Sequence, residues 1–414
     1  MRIRQIAPIL AIVLSLAACA SAPPAPPAQH PAAVLLVSID GLRADVVGRG
    51  EMPNLDALAA EGVRAAWMNP SYPALTFPNH YTLVTGLRPD RHGVVHNMMW
   101  TRSLGNFRTR DRQAVGDGRW WSGADPLWVG AEKAGLRTAT MFWPGSEADI
   151  HGVRPNYWRP YDKRVDAGQR VAQVLAWLDL PAAQRPRLVT LYFDRVDSAE
   201  HDFGPGSSQA HDARVLVDGA LGQLRDGLAA RGLLDAVDLV VVSDHGFADA
   251  PPNQYIAVED MAAADVARNI STGQVVGFAP LPGRDAQAED ELLGRHDHYQ
   301  CWRKGELPPR WHYGSNPRIP PIVCQMDEGW NAAARERLSK AGTEPLDRGS
   351  HGYDPALPSM RATFVARGPA FRKGVEIPAF DNVDVYPLLA RLLGIHPEPN
   401  DGEIAPLLPA LNNP

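Results

Sequence analysis

The chain has 414 residues, of which 45% are hydrophobic and 21% are charged. This balance excludes an intrinsically disordered chain and indicates a globular protein of one large domain or two ordinary ones. The formal net charge of −6 argues against a surface that binds nucleic acid, because such surfaces are basic.

The N-terminus has the pattern of an export signal. Two arginines precede an apolar run that is too short to span a membrane, and small residues follow it up to Cys19. We therefore predict a signal peptide over residues 1–18. The ending LAAC resembles a bacterial lipobox, in which Cys19 would be lipidated and become the mature N-terminus. A plain secretory signal with a chance cysteine is the alternative.

Residues 19–31 are rich in proline and alanine, a composition that does not form a packed core. We predict that they tether the following domain to a membrane through Cys19. Because Ala20 and not aspartate follows the cysteine, the resemblance to bacterial lipoproteins favours an exported protein on the periplasmic face of the outer membrane.

Two further cysteines, Cys301 and Cys324, lie close together in the sequence. An exported protein meets an oxidising compartment, so we predict a disulfide between them. Two separate free thiols are the alternative.

Short apolar runs rich in β-branched residues alternate with helical patterns along the chain. The predicted buried parallel strands are residues 33–40, 138–143, 188–194, 239–246 and 362–368. The predicted helices are residues 54–65, 126–136, 170–180, 212–233 and 382–395. This alternation predicts an α/β fold with a mostly parallel central sheet and helices on both faces.

The stretch from about residue 250 to 345 breaks this pattern. It is rich in proline, glycine, aspartate and aromatic residues, has weak helical periodicity and contains both cysteines. We predict an irregular inserted subdomain here.

Acidic and imidazole side chains occur where predicted strands end. Asp40 ends the first strand, Asp197 and His201 follow the third, and Asp244 and His245 lie in the fourth. Open α/β sheets bind ligands outside the carboxyl ends of their strands. Each residue alone is weak evidence, because an aspartate at a strand end is commonly a helix cap or a turn former. The joint pattern is more specific.

These side chains are the ligand types that zinc prefers, but they are too many for one tight zinc site. They suit two ions if one more histidine joins them, and His351 lies in a loop before residues 362–368. Two ions about 4 Å apart form a site for phosphoryl transfer, because they clamp the attacking and the leaving oxygen.

The chain resembles the nucleotide pyrophosphatase/phosphodiesterase (NPP) family of the alkaline phosphatase superfamily. The matching strings are SIDGLRADV, MPNLDALAAEGVRA, PSYPALTFPNHYTLVTGLRPDRHGVVHNMMW, MFWPGSE, DRVDSAEHDFGP, VVSDHGF and GSHGYDP, and the resemblance covers residues 34–354. The resemblance implies an alkaline phosphatase-like fold with a catalytic domain over residues 32–412.

The resemblance also implies roles for individual residues. Thr76, which in the string ALTFP alone would be taken for a strand-end or cap residue, matches the nucleophile. Asn97 matches a residue that hydrogen-bonds a phosphoryl oxygen. One zinc ion would be held by Asp40, Thr76, Asp244 and His245, and the other by Asp197, His201 and His351. The chain departs from the family pattern at Val196 and Glu200, neither of which replaces a ligand.

The implied activity is hydrolysis of phosphodiester and phosphoanhydride bonds through a zinc-activated threonine and a covalent phospho-enzyme. The string TFPNH lacks the features of a sulfatase and places no arginine beside Thr76, which favours diesters. Aromatic faces suit a nucleobase, so we predict that Phe77, Tyr161 and Tyr192 bind the substrate, with core packing as the alternative for each. A phosphonate or other phosphate-ester hydrolase, and a lipoprotein that only binds, are the competing functions.

Overall fold

The computed structural model describes residues 33–413. The predicted signal peptide, Cys19 and the tether over residues 19–31 lie outside the described residues, so they stay predictions. Within the described part of the chain, no helix combines the length and the apolar character needed to cross a membrane.

The strands of the two larger sheets coincide with apolar runs of the sequence. In chain order they are β1 (Ala33–Ile39), β2 (Val63–Ala65), β3 (Thr138–Met141), β4 (Tyr157–Arg159), β5 (Leu188–Phe193), β6 (Val237–Val242), β7 (Ala267–Ser271), β8 (Val275–Pro280), β9 (Gly294–His296), β10 (Tyr299–Arg303), β11 (Ile322–Met326), β12 (Phe364–Arg367) and β13 (Val375–Ile377). Shorter strands pair two by two: Met68–Asn69 with Phe380–Asp381, Met98–Thr101 with Gly105–Arg108, Ala248–Asp249 with Gly349–Ser350, and Tyr255–Ala257 with Asn331–Ala333.

The main sheet has eight strands in the order β13-β2-β12-β6-β1-β5-β3-β4. The strand β1 lies between β5 and β6 and is parallel to both, and β3 is parallel to β5 and to β4. The predicted α/β fold with a mostly parallel central sheet is therefore confirmed.

The prediction that residues 362–368 form a parallel strand is wrong. The strand β12 is antiparallel to both of its neighbours, β6 and β2. The chain leaves β6 at the carboxyl edge of the sheet and returns at the same edge, so the next strand has to run in the opposite direction. A residue just before β12 consequently lies at the same edge as residues just after β1, β5 and β6.

The described residues form twelve α-helices, some of which cover the two faces of the main sheet. They are α1 (Pro53–Glu61), α2 (Thr76–Thr85), α3 (Pro89–His92), α4 (Arg112–Gly116), α5 (Leu127–Lys133), α6 (Ala167–Leu178), α7 (Arg195–Phe203), α8 (Ser208–Ala230), α9 (Val258–Met261), α10 (Asp285–Leu292), α11 (Arg335–Ser339) and α12 (Val385–Leu393). Buried side chains alternate along β1: Val34 and Leu36 pack with α2, α5 and α12, whereas Leu35, Val37 and Ile39 pack with α1, α6 and α8.

The predicted helices are present with ends shifted by a few residues, except for the one over residues 54–65. That helix ends at Glu61, and Val63–Ala65 form β2. The change occurs at Gly62, where a Cβ would lie 2.1 Å from the carbonyl oxygen of Ala366 in β12. A glycine is needed for the chain to pass so close to β12 and enter the sheet.

The stretch from about residue 250 to 345 is less irregular than predicted. It contains a five-stranded antiparallel sheet in the order β7-β8-β11-β10-β9. These strands are short and separated by proline- and glycine-rich turns, which conceals their alternation in the sequence. The predicted disulfide is confirmed: Cys301 in β10 faces Cys324 in β11, and the two are bonded.

Candidate active site

The predicted metal ligands come together at the carboxyl edge of the main sheet. Asp40 directly follows β1, and Asp244 and His245 follow β6. Asp197 and His201 lie one turn apart on α7, which begins two residues after β5. His351 directly follows the short strand Gly349–Ser350, and the pairing of this strand with Ala248–Asp249, just after His245, brings it to the same edge.

The first group consists of Asp40, Asp244 and His245, whose ligand atoms all lie within 4.8 Å of one another. His245 Nε2 is 2.9 Å from Asp244 Oδ2 and 3.5 Å from Asp40 Oδ1. All three side chains are at most 1% exposed. The backbone N–H of Gly41 donates to Asp244 Oδ1 over 3.2 Å, and Tyr192 Oη donates to Asp40 Oδ2, which fixes both carboxylates.

The second group consists of Asp197, His201 and His351. Asp197 Oδ1 lies 3.5 Å from Nε2 of each histidine. This group is more open than the first, since the side chains of Asp197 and His201 are 17% and 26% exposed. The rings of His245 and His351 stack with centroids 3.6 Å apart, so the two groups adjoin.

Hydrogen bonds at Nδ1 of His245 and His351 leave a lone pair on Nε2 of each ring that can bind an ion. Nδ1 of His245 donates to the carbonyl oxygen of Gly246, and Nδ1 of His351 donates to that of Ala74, each over 2.9 Å. Because a carbonyl can only accept, these bonds assign the proton to Nδ1 and leave a lone pair on Nε2.

The carboxylates leave three buried oxygens without a hydrogen-bond donor among the described residues: Asp40 Oδ1, Asp197 Oδ1 and Asp244 Oδ2. Burial, and then the charge of Asp244, raise the pKa of Asp40 well above its ordinary value. Unpartnered buried carboxylate oxygens are costly, and a cation would satisfy them. The residues present therefore fit two divalent ions.

Thr76 is the first residue of α2, and its Oγ1 lies 3.3 Å from His245 Nε2. It therefore adjoins the first group, and its roles as nucleophile and ligand stay predictions. A helix N-terminus with free N–H groups favours an anion at this position. Asn97 Oδ1 accepts the backbone N–H of Phe77 over 3.0 Å, which places the Asn97 amide beside Thr76.

The three predicted substrate-binding aromatics differ in position. Phe77 is partly exposed and contacts Phe107 and Trp121, with ring centroids 6.0 and 5.8 Å apart. Tyr161 is partly exposed, and its hydroxyl donates to Asp194. Tyr192 is 7% exposed, and its hydroxyl is engaged with Asp40. The roles of all three in binding stay predictions.

Sequence reasoning missed three contacts that hold the ligands in place, although it assigned Tyr192 a different role. His80 contacts Asp244, Tyr192 contacts Asp40, and Asp347 lies beside His201. His80 follows Thr76 by four residues and so lies on the same helix face, which was the one local signal available. The other contacts join residues far apart in the sequence.

Comparisons with known proteins agree with this geometry. Residues 34–354 match the family model of Type I phosphodiesterase / nucleotide pyrophosphatase. An uncharacterized pyrophosphatase/phosphodiesterase of Schizosaccharomyces pombe is 34% identical over 392 residues, which cover 92% of this chain and 80% of that protein. Ectonucleotide pyrophosphatase/phosphodiesterase family member 3 of Bos taurus is 35% identical over 384 residues, or 89% of this chain and 43% of that protein.

A similar solved structure is murine ectonucleotide pyrophosphatase/phosphodiesterase 5, as an inactive threonine-to-alanine variant in complex with AMP. The TM-score is 0.86 at 32% sequence identity, and the match covers 92% of this chain and 100% of that chain. This chain thus spans the whole of that structure but less than half of the bovine relative.

The fold and the two carboxylate–imidazole groups at the carboxyl edge of its sheet are those of the alkaline phosphatase superfamily. Within that superfamily, the chain belongs to the Type I phosphodiesterase/nucleotide pyrophosphatase family.

Proposed function

We propose that this protein is a metal-dependent hydrolase of phosphodiester and phosphoanhydride bonds, a nucleotide pyrophosphatase/phosphodiesterase. The observation that carries the proposal is the position of Thr76 Oγ1, which lies 3.3 Å from His245 Nε2 and so adjoins the first of two neighbouring groups of metal-ligand type. Metal coordination is one of the ways in which a weakly acidic hydroxyl becomes a useful nucleophile.

Two Zn²⁺ ions are the cofactors that suit the donor set best. Asp40, Asp244, His245 and Thr76 Oγ1 would hold one ion, and Asp197, His201 and His351 would hold the other. When bound, the ions would lower the pKa of the Thr76 hydroxyl and neutralise charge on the phosphoryl oxygens.

The chain's own groups then account for the two halves of the reaction. Thr76 Oγ1 gives up its proton to solvent and forms a bond to phosphorus, while the opposite bond from phosphorus to the leaving-group oxygen breaks and that oxygen takes a proton from solvent. The Asn97 side-chain amide donates to a non-bridging phosphoryl oxygen, where negative charge develops. Attack by water on the phosphothreonine restores Thr76 and releases the phosphorylated product.

A nucleotide is the substrate class that the surroundings of Thr76 favour. Phe77 follows the nucleophile directly and keeps part of its ring exposed, which offers a face on which a base can stack. The similar murine structure contains AMP. The charge of a phosphate diester also matches a site with no arginine next to Thr76 in the sequence.

The test is hydrolysis of a chromogenic nucleotide phosphodiester by the wild type, Thr76→Ala and Thr76→Ser, with metal content measured on the same preparations. We expect the alanine variant to keep its fold and most of its metal but to lose at least about 10³-fold in turnover. The serine variant keeps a hydroxyl and should retain measurable activity. Near-normal turnover by Thr76→Ala would overturn the assignment of the nucleophile.

The same assay with a phosphonate ester and a simple phosphate monoester separates the proposal from its main alternative. Preference for the nucleotide diester supports the proposed function. Preference for the phosphonate or the monoester would assign the chain to a different hydrolase of the same superfamily. No hydrolysis of any substrate by metal-loaded protein would favour a binding function.

We also propose that Cys19 anchors the catalytic domain, residues 32–412, in the outer membrane on its periplasmic face. The sequence LAAC followed by the Pro/Ala tether supports this location. Cys19→Ala should move the exported protein from the membrane fraction to the periplasmic fraction. A wild-type protein found only in the soluble fraction would contradict the anchor.

A further inference from the structure

The side chain of His80 joins three segments of the candidate site. It is fully buried on α2, one turn after Thr76. Its Nδ1 lies 2.9 Å from the carbonyl oxygen of Thr76 and 3.3 Å from Asp244 Oδ2, and its Nε2 lies 2.8 Å from Ser38 Oγ. Neither the fold nor the predicted ligand set requires an imidazole here.

The chemistry of these partners determines how the ring is protonated. The Thr76 carbonyl and the Asp244 carboxylate can only accept, so Nδ1 carries the proton and donates to the Thr76 oxygen. In the neutral ring, Nε2 then accepts the hydroxyl of Ser38. Ser38 lies in β1, two residues before Asp40, so one ring connects the helix of the nucleophile, the strand of one predicted ligand and the carboxylate of another.

Large aromatic side chains prevent the ring from turning. Trp143 packs edge-on against it with ring centroids 5.1 Å apart, and Trp143 Nε1 donates to the carbonyl oxygen of His80 over 3.1 Å. Tyr192 packs against it at 5.1 Å, and its hydroxyl donates to Asp40. The imidazole is therefore held in one orientation by groups that also contact the predicted ligands.

We infer that His80 is a positioning residue, which sets the first turn of α2, and with it Thr76 Oγ1, relative to Asp40 and Asp244. The inference rests on the proposed function, because it assigns His80 to the alignment of the nucleophile in that reaction. His80 touches no reacting atom, so its loss should slow the chemical step while nucleotide binding is unchanged. A misplacement of about 1 Å can cost roughly 10²-fold in rate.

Two substitutions separate the contributions of the hydrogen bonds made by the two ring nitrogens. In His80→Asn, the side-chain NH₂ can take the place of Nδ1–H and donate to the Thr76 carbonyl, whereas the bond to Ser38 is lost. In His80→Gln, the longer side-chain amide reaches the position of Nε2 and can keep the hydrogen bond with Ser38, whereas the donor to the Thr76 carbonyl is lost. Ser38→Ala removes only the Ser38 hydroxyl and serves as the mildest variant.

The experiment measures kcat and KM on a nucleotide diester, together with thermal unfolding and metal content. We expect His80→Gln to lose about 10²-fold in kcat with KM within about twofold of the wild type, and His80→Asn to recover at least about tenfold of that loss. A purely structural role predicts equal losses for the two variants, in proportion to their stability. That result, or a normal kcat for folded His80→Gln, would overturn the inference.

A second readout does not depend on turnover. Zn²⁺ affinity, measured by competition with a chromophoric chelator, should fall about tenfold in His80→Gln, because Asp244 loses a supporting contact. If the wild type hydrolyses none of the substrates, the proposed function fails while this readout still tests the role of His80. If His80→Gln does not fold, Ser38→Ala takes its place in the test. We then expect a several-fold lower kcat at unchanged KM. A kcat equal to that of the wild type would count against the positioning role of His80.

Discussion

Asp347 distinguishes His201 from the other two predicted histidine ligands. His245 and His351 direct Nδ1 to backbone carbonyls, whereas Nδ1 of His201 faces Asp347 Oδ2 at 3.5 Å. The backbone N–H of Arg348 also donates to the carbonyl oxygen of His201 over 2.7 Å. A carboxylate behind a ligating imidazole orients the ring and increases its basicity, which strengthens the bond to the metal.

We predict that Asp347→Asn weakens Zn²⁺ binding at the second group by about tenfold, because the amide supports the imidazole less well than a carboxylate does. Chelator competition on the purified protein measures this change. Asp265→Asn is the matched control, since Asp265 is a 78% exposed carboxylate that lies 3.9 Å from Arg284. Equal affinities in both variants would exclude a supporting role for Asp347.

Tyr192 and Phe77 allow the predicted roles of the aromatic residues to be separated. Tyr192→Phe removes the hydroxyl that donates to Asp40, so we expect kcat to fall about tenfold while KM for a nucleotide stays unchanged. Phe77→Leu removes a face for base stacking, so we expect KM to rise with a smaller change in kcat. Steady-state kinetics on a nucleotide diester decide both. Because phenylalanine keeps the ring, an unchanged kcat for Tyr192→Phe would contradict the role of the hydroxyl at Asp40.

At the scale of secondary-structure elements, Gly62 separates α1 from β2. We predict that Gly62→Ala destabilises the protein by about 1–3 kcal/mol, because the new methyl group would overlap the carbonyl oxygen of Ala366 and push β2 away from β12. Gly219→Ala is the control, since a methyl group at this position of α8 would meet no other segment of the described chain within 4 Å. It should be neutral or slightly stabilising. Urea unfolding of both variants measures the difference.

The elements that sequence reasoning located are those whose evidence is local. The apolar runs of β1, β3, β5 and β6 predict buried strands on their own. The direction of β12 is not local, because it depends on where a long excursion of the chain returns to the sheet. For the same reason the sequence pattern predicts one helix that includes the residues of β2. The contact that excludes a side chain at Gly62 comes from Ala366, which is distant in sequence.

The same distinction applies to the candidate site. The side chains predicted as ligands could be found because each lies in a recognisable string near the end of a strand. Their supporting partners could not, because Tyr192 reaches Asp40 and Asp347 reaches His201 across long separations in sequence. Those contacts exist only after folding, and no local pattern reveals that the hydroxyl of Tyr192 contacts Asp40.

The connection from α3 to Asn97 contains two histidines that burial keeps neutral. Burial lowers the pKa of His92 to about 3 and that of His96 to about 4, and nearby arginines act in the same direction. His96 Nε2 donates to the carbonyl oxygen of Val275 in β8, and its Nδ1 accepts the N–H of Met98. These bonds fix the segment that carries Asn97.

Because both folded-state pKa values lie below the unfolded value of about 6.5, unfolding takes up protons in acid. These histidines therefore cost no stability above pH 6.5 and reduce it as pH falls toward 4, by about 1.4 kcal/mol per pH unit for each. We predict that His96→Gln makes the unfolding free energy decline less steeply between pH 6.5 and 4.5. The slope should fall by about 1.4 kcal/mol per pH unit, which corresponds to one proton fewer taken up on unfolding. Denaturant titrations at several pH values measure the slope. A slope equal to that of the wild type would contradict the lowered pKa of His96 in the folded protein.

At the scale of the whole molecule, the two groups differ in access and in charge. The first group is buried and has two carboxylates, whereas the second has one carboxylate and is partly open to solvent. We therefore predict that a chelator removes two metal ions in two phases, with the ion at the second group lost first. Metal content measured against time tests this. Asp197→Asn should abolish the fast phase, and loss of both ions at one rate would contradict it.

The short pairing of Ala248–Asp249 with Gly349–Ser350 has a consequence for evolution and engineering. It closes the base of the intervening segment, so that this segment departs from the catalytic body and rejoins it at adjacent points. Relatives could lengthen, shorten or replace such an excursion while the spacing between His245 and His351 is kept. Chimaeras exchanged at this junction are therefore a practical way to vary the segment with the same reaction chemistry.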